Sequence, residues 1–258
     1  MEMTMTGRKA LVTGGSLGIG RAIAQAFCSA GAEVAIVARR ADVLNEAKAA
    51  IEAATGGRVV AVVGDVSTAE GCQAAWDAAI AGLGQVDVLV NNAGSSHRAP
   101  FVSVTDAEWQ ADLDLKLFGA IRLCRLAFPG MTERKWGRII NVLNSGAKAP
   151  PPSGAPTAVT RAAGMALTKV LAGEGAPHNV LVNSLHVGKI ESDQWVRRAA
   201  KDGKDLDQLY DEMGKELPMG RMGKAEEFAA AACFLASDAG SYICGAAINV
   251  DGGLSPVV

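Results

Sequence analysis

The sequence predicts an α/β protein: one doubly wound parallel sheet with helices on both faces. Three observations predict it. Short β-branched runs alternate with longer alanine-rich segments of helical period along nearly the whole chain. The first run passes directly into a glycine-rich turn, "TGGSLGIG", that opens the first helix. No Pro/Gly/Ser-rich linker or break in composition divides the 258 residues, so positions 1–258 are expected to form a single domain. Alternation at this spacing implies parallel β-α-β units with right-handed crossovers. In such a sheet, ligands enter a crevice at the carboxyl ends of the strands.

Taken in order, "KALVT" (9–13), "EVAIVA" (33–38), "RVVAVV" (58–63), "VDVLVN" (86–91), "GRIINVL" (137–143) and "NVLVNSL" (179–185) are the expected strands. Their apolar runs are nearly continuous rather than alternating, as strands covered on both faces require. "AAINVDGG" supplies a last short strand. Between them, "GIGRAIAQAFCSAG", "ADVLNEAKAAIEAA", "TAEGCQAAWDAAIAGL", a long segment at 105–131, and segments near 155–175 and 224–236 carry the helical period. Thr68 ahead of Glu70 and Gly71 is a helix start, Asp42 has the chemistry of an N-cap, and Gly31, Gly56 and Gly82 are natural stops. The polar, charged segment 186–223 interrupts the alternation. It is expected to be a helical excursion, either a solvated surface helix pair or a substrate lid.

Composition narrows the partners. Hydrophobic residues make up 49% of the chain, enough for a substantial core. The formal net charge is −2, which gives no field to recruit nucleic acid or an anionic membrane. Cys28, Cys72, Cys124, Cys233 and Cys244 are scattered without C-x-x-C spacing, and are expected as free thiols rather than disulfides or metal ligands. The opening "MEMTMTGRKALVTGG" lacks a basic stretch followed by a long apolar run. No apolar segment approaches the roughly 18–20 residues that span a bilayer. The expectation is a reduced, cytoplasmic protein that binds no metal.

In "LVTGGSLGIGRAIA", Gly14, Gly18 and Gly20 permit a tight turn, close backbone approach and close helix–strand packing. The free N–H groups at the helix start then face an anion. The spacing is Gly-x3-Gly-x-Gly. With "GDVS" at 64–67, "NNAG" at 91–94 and "VDGG" at 250–253, the chain resembles the short-chain dehydrogenase/reductase family from about Arg8 to Gly253. The resemblance implies a Rossmann-type fold and a nicotinamide dinucleotide held by Gly14, Ser16, Leu17, Gly18, Ile19 and Gly20. It further implies Asp65 and Val66 at the adenine, Asn91 and then Asn92, Ala93 and Gly94 along the crevice, and Arg161, Gly188 and Ile190 toward the nicotinamide. After the second strand, a carboxylate would chelate the ribose hydroxyls and repel a 2′-phosphate. This chain instead has Arg39 and Arg40, planar charged forks suited to a phosphate. NADP(H) is therefore favoured over NAD(H).

The resemblance also implies a serine, a tyrosine, a lysine and a helical asparagine at the reaction centre. Aligned on "RIINVLNS" and "VLVNSL", those places hold Asn144, Thr157, Arg161 and Lys116, with the spacings of thirteen and four residues intact. A threonine hydroxyl is a poor proton reservoir, and an arginine anchors and stabilises charge without readily shuttling a proton. Lys116 in a desolvated crevice is a candidate acid or base, unless it pairs with Asp112 or Asp114 on its own helix. Ser145 is a candidate for the substrate hydrogen bond. His97, His186 and Tyr210 are further candidates, with a structural role the competing reading for the histidines. Two functions follow as expectations. One is an NADP(H)-dependent oxidoreductase acting on a carbonyl, an alcohol or a conjugated alkene with a rebuilt proton relay. The other is an NADP(H)-binding sensor or inactive partner subunit. Apolar residues on more than one side of the 105–131 and 155–175 helices, with the resemblance, imply a homodimer or homotetramer.

Overall fold

The computed structural model describes residues 3–258. Seven parallel strands form one sheet: β1 (Lys9–Thr13), β2 (Glu33–Ala38), β3 (Val59–Val63), β4 (Val88–Asn91), β6 (Gly137–Asn144), β8 (Val180–Val187) and β9 (Ala247–Val250). Their order is β3-β2-β1-β4-β6-β8-β9. Two short segments, β5 (Arg98–Ala99) and β7 (Ala155–Pro156), pair antiparallel above the carboxyl ends of the main sheet's strands. The chain builds outward from β1 to β3 and then crosses back to β4, leaving a switch point between β1 and β4 where a crevice must open.

Helices α1 (Gly18–Ser29), α2 (Ala41–Thr55) and α9 (Ala225–Ala236) pack with one apolar cluster that includes Val12, Ile36, Ile140 and Phe228. Helices α3 (Ala69–Leu83) and α5 (Gly119–Glu133) cover the other face, around Leu11, Leu89, Leu123 and Ile139. Residues 10–12 of β1, like the centres of β2, β4, β6 and β8, are buried on both faces, which is why these runs lack polar alternation. Each fully buried Val, Leu or Ile contributes about 1.5–3 kcal/mol.

Three local expectations are corrected. The 105–131 segment is not one helix: α4 (Asp106–Leu113), capped by the Thr105 and Glu108 box, passes through a π turn at Asp114–Phe118 into α5. Gly82 lies inside α3, its Cα against Val60, and the stop falls to Gly84 at φ +81°. Asp42 sits in the first turn of α2 behind an Arg40 N-cap, where a carboxylate still favours the helix dipole. Thr68 does cap α3, accepting from the Gly71 N–H at 3.0 Å. The excursion begins after β8, which runs on to Val187, and contains α7 (Asp193–Asp202) and α8 (Leu206–Lys215). Between α5 and β8 the chain also forms α6 (Thr157–Gly175). Among the described residues all five cysteines are free, and no helix is long and apolar enough to cross a membrane.

Candidate functional site

A cleft of about 620 Å³ opens at the switch point. Gly14, Ser16, Leu17, Gly18, Ile19, Gly20, Arg39, Arg40, Asp65, Val66, Asn92, Ala93 and Gly94 line it, every one a residue that the sequence places there. The glycine turn is held by sterics: a Cβ on Gly20 would collide with the Gly14 carbonyl oxygen and with Asn92 Nδ2. The amino end of α1 has no side-chain cap and no acidic residue in its first turn, so its free N–H groups and positive dipole face the cleft. Arg39 and Arg40 are exposed at the end of β2 and pair with no carboxylate among the described residues. The Asp65 carboxyl is held below its ordinary value, chiefly by the Ser67 backbone N–H at 3.0 Å and in smaller part by the charge of Arg39. These donors fit a dinucleotide with an additional phosphate on its ribose.

Thr13, at the end of β1, pins the far wall. Its Oγ1 accepts from the N–H groups of Asn92 and Ala93, both at 3.0 Å, while Asn92 Nδ2 donates to the Thr13 carbonyl at 2.9 Å. Asn91 points behind the wall, donating to Asn141 Oδ1 at 2.9 Å. Asn141 in turn donates to Thr168 of α6.

At the inner end of the cleft the structure brings Lys116, Thr157 and Arg161 together. Lys116 sits in the π turn and is 5% exposed; Thr157 begins α6 and is 3% exposed. The Lys116 ammonium donates to Thr157 Oγ1 at 2.7 Å and forms a buried ion pair with Asp112 of α4. Thr157 Oγ1 also accepts from the His97 N–H at 3.1 Å and donates to Asp112 Oδ1 at 3.3 Å. Burial pulls the Lys116 ammonium down to about 8; Asp112 opposes that fall and the charge of Arg161 adds to it. The Arg161 guanidinium lies against Gly94, where a Cβ would stand 2.5 Å from Nη2 and 3.6 Å from Lys116 Cγ. It has no hydrogen-bond partner among the described residues, and burial lowers it to about 10, still protonated at neutral pH.

The family whose model is described as enoyl-(acyl carrier protein) reductase matches residues 14–255. The acetoacetyl-CoA reductase of Shinella zoogloeoides is 35% identical over 246 residues, spanning 95% of this chain and 98% of that protein. The chain belongs to the short-chain dehydrogenase/reductase family. Solved members superpose along its full length. The L-sorbose reductase of Gluconobacter frateurii, complexed with NADPH and L-sorbose, is 35% identical with a TM-score of 0.95 and complete coverage of both chains. An NADPH-bound short-chain oxidoreductase of Pseudomonas aeruginosa PAO1, described as containing an atypical catalytic centre, is 37% identical with a TM-score of 0.92 and 99% coverage of both.

Other residues expected at the site are placed as follows. Asn144 ends β6 half-buried, its Oδ1 without a partner, and Ser145 opens the next turn with its hydroxyl unbonded among the described residues. His186 is fully buried and its imidazole is pulled down to about 4, first by burial and then by the charge of Lys148. A neutral ring fixes the tautomer: Nδ1–H donates to the Asn144 carbonyl at 3.1 Å and Nε2 accepts from the Ser184 hydroxyl at 3.0 Å. It is a strut between β6 and β8. The His97 imidazole faces Glu108 at 3.4 Å, so only its backbone reaches the centre. Tyr210 of α8 meets the backbone of Ser192, and burial raises its phenol further.

Three members of the expected cofactor shell stand outside the cleft lining. Arg161 lies deeper, behind Gly94. Gly188 packs on Asp251, and Ile190 is buried and pairs with Gly223, lining a separate cavity of about 250 Å³ beside β9. β8 runs on to Val187, immediately before this turn. Sequence reasoning missed Thr13, Ser95, Leu115 and Ser192, which line or pin the cleft through the way elements meet. It weighed Asp112 only as a competitor for Lys116.

Proposed function

We propose that the chain is an NADP(H)-dependent oxidoreductase of the short-chain type that reduces a carbonyl, or a conjugated alkene, or runs the reverse oxidation of an alcohol, with a proton relay of its own. The observation that carries this reading is the cleft itself, an uncapped helix end at one side and, at the end of β2, two arginines unpaired among the described residues. The reductase names of the relatives and the NADPH of the solved members support it. In this reading Arg39 and Arg40 take the 2′-phosphate, the α1 amino end takes the pyrophosphate, and Asp65 and Val66 border the adenine. Arg161 spans the nicotinamide ribose and the developing oxyanion, and Asn144 and Ser145 polarise the substrate oxygen.

When bound, the reduced dinucleotide supplies a hydride to the substrate carbon. The chain must supply the proton. Of the three bonds at Thr157 Oγ1, the one it donates to Asp112 is the longest, at 3.3 Å. We assign this proton to the substrate oxygen, with Lys116 refilling the hydroxyl across the 2.7 Å bond and becoming a neutral amine. Lys116 thereby ends the step without a positive charge beside the Arg161 guanidinium. Solvent recharges the lysine after product leaves.

Calorimetry with NADPH and NADH, followed by a carbonyl and enone panel read through NADPH absorbance, tests the proposal. Arg39→Ala and Arg40→Ala are each expected to weaken NADPH about tenfold to a hundredfold, from the loss of charge-assisted bonds, and to leave NADH unchanged. Equal affinity for the two cofactors overturns the phosphate assignment. The saturated, buried hydroxyl of Thr157 favours a second reading, a sensor or inactive partner subunit, and tight NADPH binding without turnover on any substrate selects it.

The α7–α8 segment is assigned as a lid, because Ser192 ahead of it lines the cleft and stands 3.7 Å from a Cβ on Gly18. Phe118, at the end of the π turn that leads into α5, and Val159 and Val170, on α6, are exposed, which supports a homodimer or homotetramer through these faces, measurable by light scattering. Five free thiols, four of them buried, suit a reducing compartment such as the cytoplasm.

A further inference from the structure

We propose that Asp112 is a positioning residue: its carboxylate aims the Lys116 ammonium at Thr157 and keeps that ammonium charged for proton delivery. The inference deepens the relay reading and rests on it. Asp112 and Lys116 stand four residues apart, but this is no solvated helix pair. The side chains are 3% and 1% exposed. A π turn at Asp114–Phe118 carries Lys116, and such turns re-aim the side chains they contain relative to an uninterrupted α-helix.

One oxygen does both tasks. Asp112 Oδ1 accepts from Lys116 and also from the Thr157 hydroxyl, so a single atom fixes the donor and the hydroxyl it refills. Asp112 Oδ2 is buried with no partner among the described residues. That is a poor arrangement for stability alone, because a buried carboxylate oxygen left unbonded costs free energy that an apolar pair of the same volume would not.

The charged groups that face Lys116 are Asp112 from α4 and Arg161 from α6. Burial and Arg161 both press the ammonium toward losing its proton. Asp112 is the group that opposes them. Without it burial and Arg161 would press the lysine further toward the neutral amine, which has no proton to give. With it, the centre holds two cations against one anion, and the release of one proton leaves Arg161 facing Asp112 as a balanced pair.

The test uses the full chain with saturating NADPH. Lys116 is titrated by NMR on lysine-labelled protein, its signal identified by its loss in Lys116→Met. Asp112→Asn is expected to lower the proton affinity of Lys116 about tenfold to a thousandfold. The high-pH limb of carbonyl reduction is expected to move down with it, while the affinity for NADPH stays within about twofold. Asp112→Glu is expected to restore part of the shift. A Lys116 titration unchanged in Asp112→Asn overturns the proposal, as does a limb that stays in place while kcat falls, the mark of a purely structural carboxylate. Because the NMR titration needs no turnover, a shifted lysine in a chain that reduces nothing upholds the positioning and sinks the relay instead. Should Asp112→Asn not fold, the double variant Asp112→Asn/Lys116→Met removes both buried charges. It is expected to fold and to match Lys116→Met in lacking the limb, and a limb that persists in either overturns the proposal.

Discussion

Thr157 carries three hydrogen bonds on one hydroxyl, and its neighbours decide what that hydroxyl can do. Thr157→Val keeps the volume and removes the oxygen. It is expected to slow carbonyl reduction about 100- to 10,000-fold, the usual loss with a placed acid, and to leave NADPH affinity within about twofold, as steady-state kinetics and calorimetry will show. In the proposed relay Lys116 sets the pH profile. Its ammonium, lowered from 10.5 to about 8 by burial, must be charged to deliver a proton, so reduction is expected to fall as pH rises through about 8. The reverse oxidation, which needs the free amine, is expected to rise through the same range. Stability carries the matching sign. Between about 8 and 10.5 the unfolded chain binds more protons at this residue than the folded one, so its contribution to stability grows with pH across that window. Chemical denaturation at several pH values is expected to show that growth in the parent chain and to lose it in Lys116→Met.

The working elements are those whose ends are left unfinished. Helices α3 and α4 are closed by Thr68 and by the Thr105–Glu108 box, whereas α1 starts bare at the cleft. Gly20 holds that bare turn in contact with Gly14 and Asn92. Gly20→Ala is expected to cost about 1–3 kcal/mol in denaturation and to weaken NADPH at least tenfold in calorimetry, because the turn and the loop pinned by Thr13 must both move. This turn was legible because its glycines, the strand before it and the helix after it are all local. The π turn was not. The residues of 105–131 have good helical period, and nothing in their spacing reveals the break at Asp114–Phe118. The aim of Lys116, and with it the role of Asp112, follows from that break and from the approach of α6 across the sheet.

Across the whole molecule the two ends of the sheet have different work. The carboxyl ends carry the cleft, as the crossover between β1 and β4 requires, and the proposed reaction centre. At the amino ends, Arg8 and Arg138 stack on Trp136, their guanidinium carbons 3.6 and 4.3 Å from the ring centroid, with Asp238 within 4.0 Å of both. This clamp joins the chain's beginning to β6 and to the turn after α9. Trp136→Ala is expected to cost about 2–3 kcal/mol, seen as a lower Tm, and to leave NADPH binding unchanged. A variant that lost both would show the two ends to be coupled.

By itself the sequence determined the sheet, its flanking helices, the glycine turn and the two arginines at the end of β2 that we assign to the cofactor phosphate. Each of these depends on neighbours in the chain or on a two-way split between apolar and polar residues, and such information is written along one dimension. The tertiary structure decided the state of Lys116, the saturation of Thr157, the retreat of His186 into a strut and the packing of Gly188 against Asp251 and of Ile190 beside β9. Those outcomes turn on which side chains meet across the sheet and how much water they lose on meeting, and contact and desolvation exist only once the chain has closed.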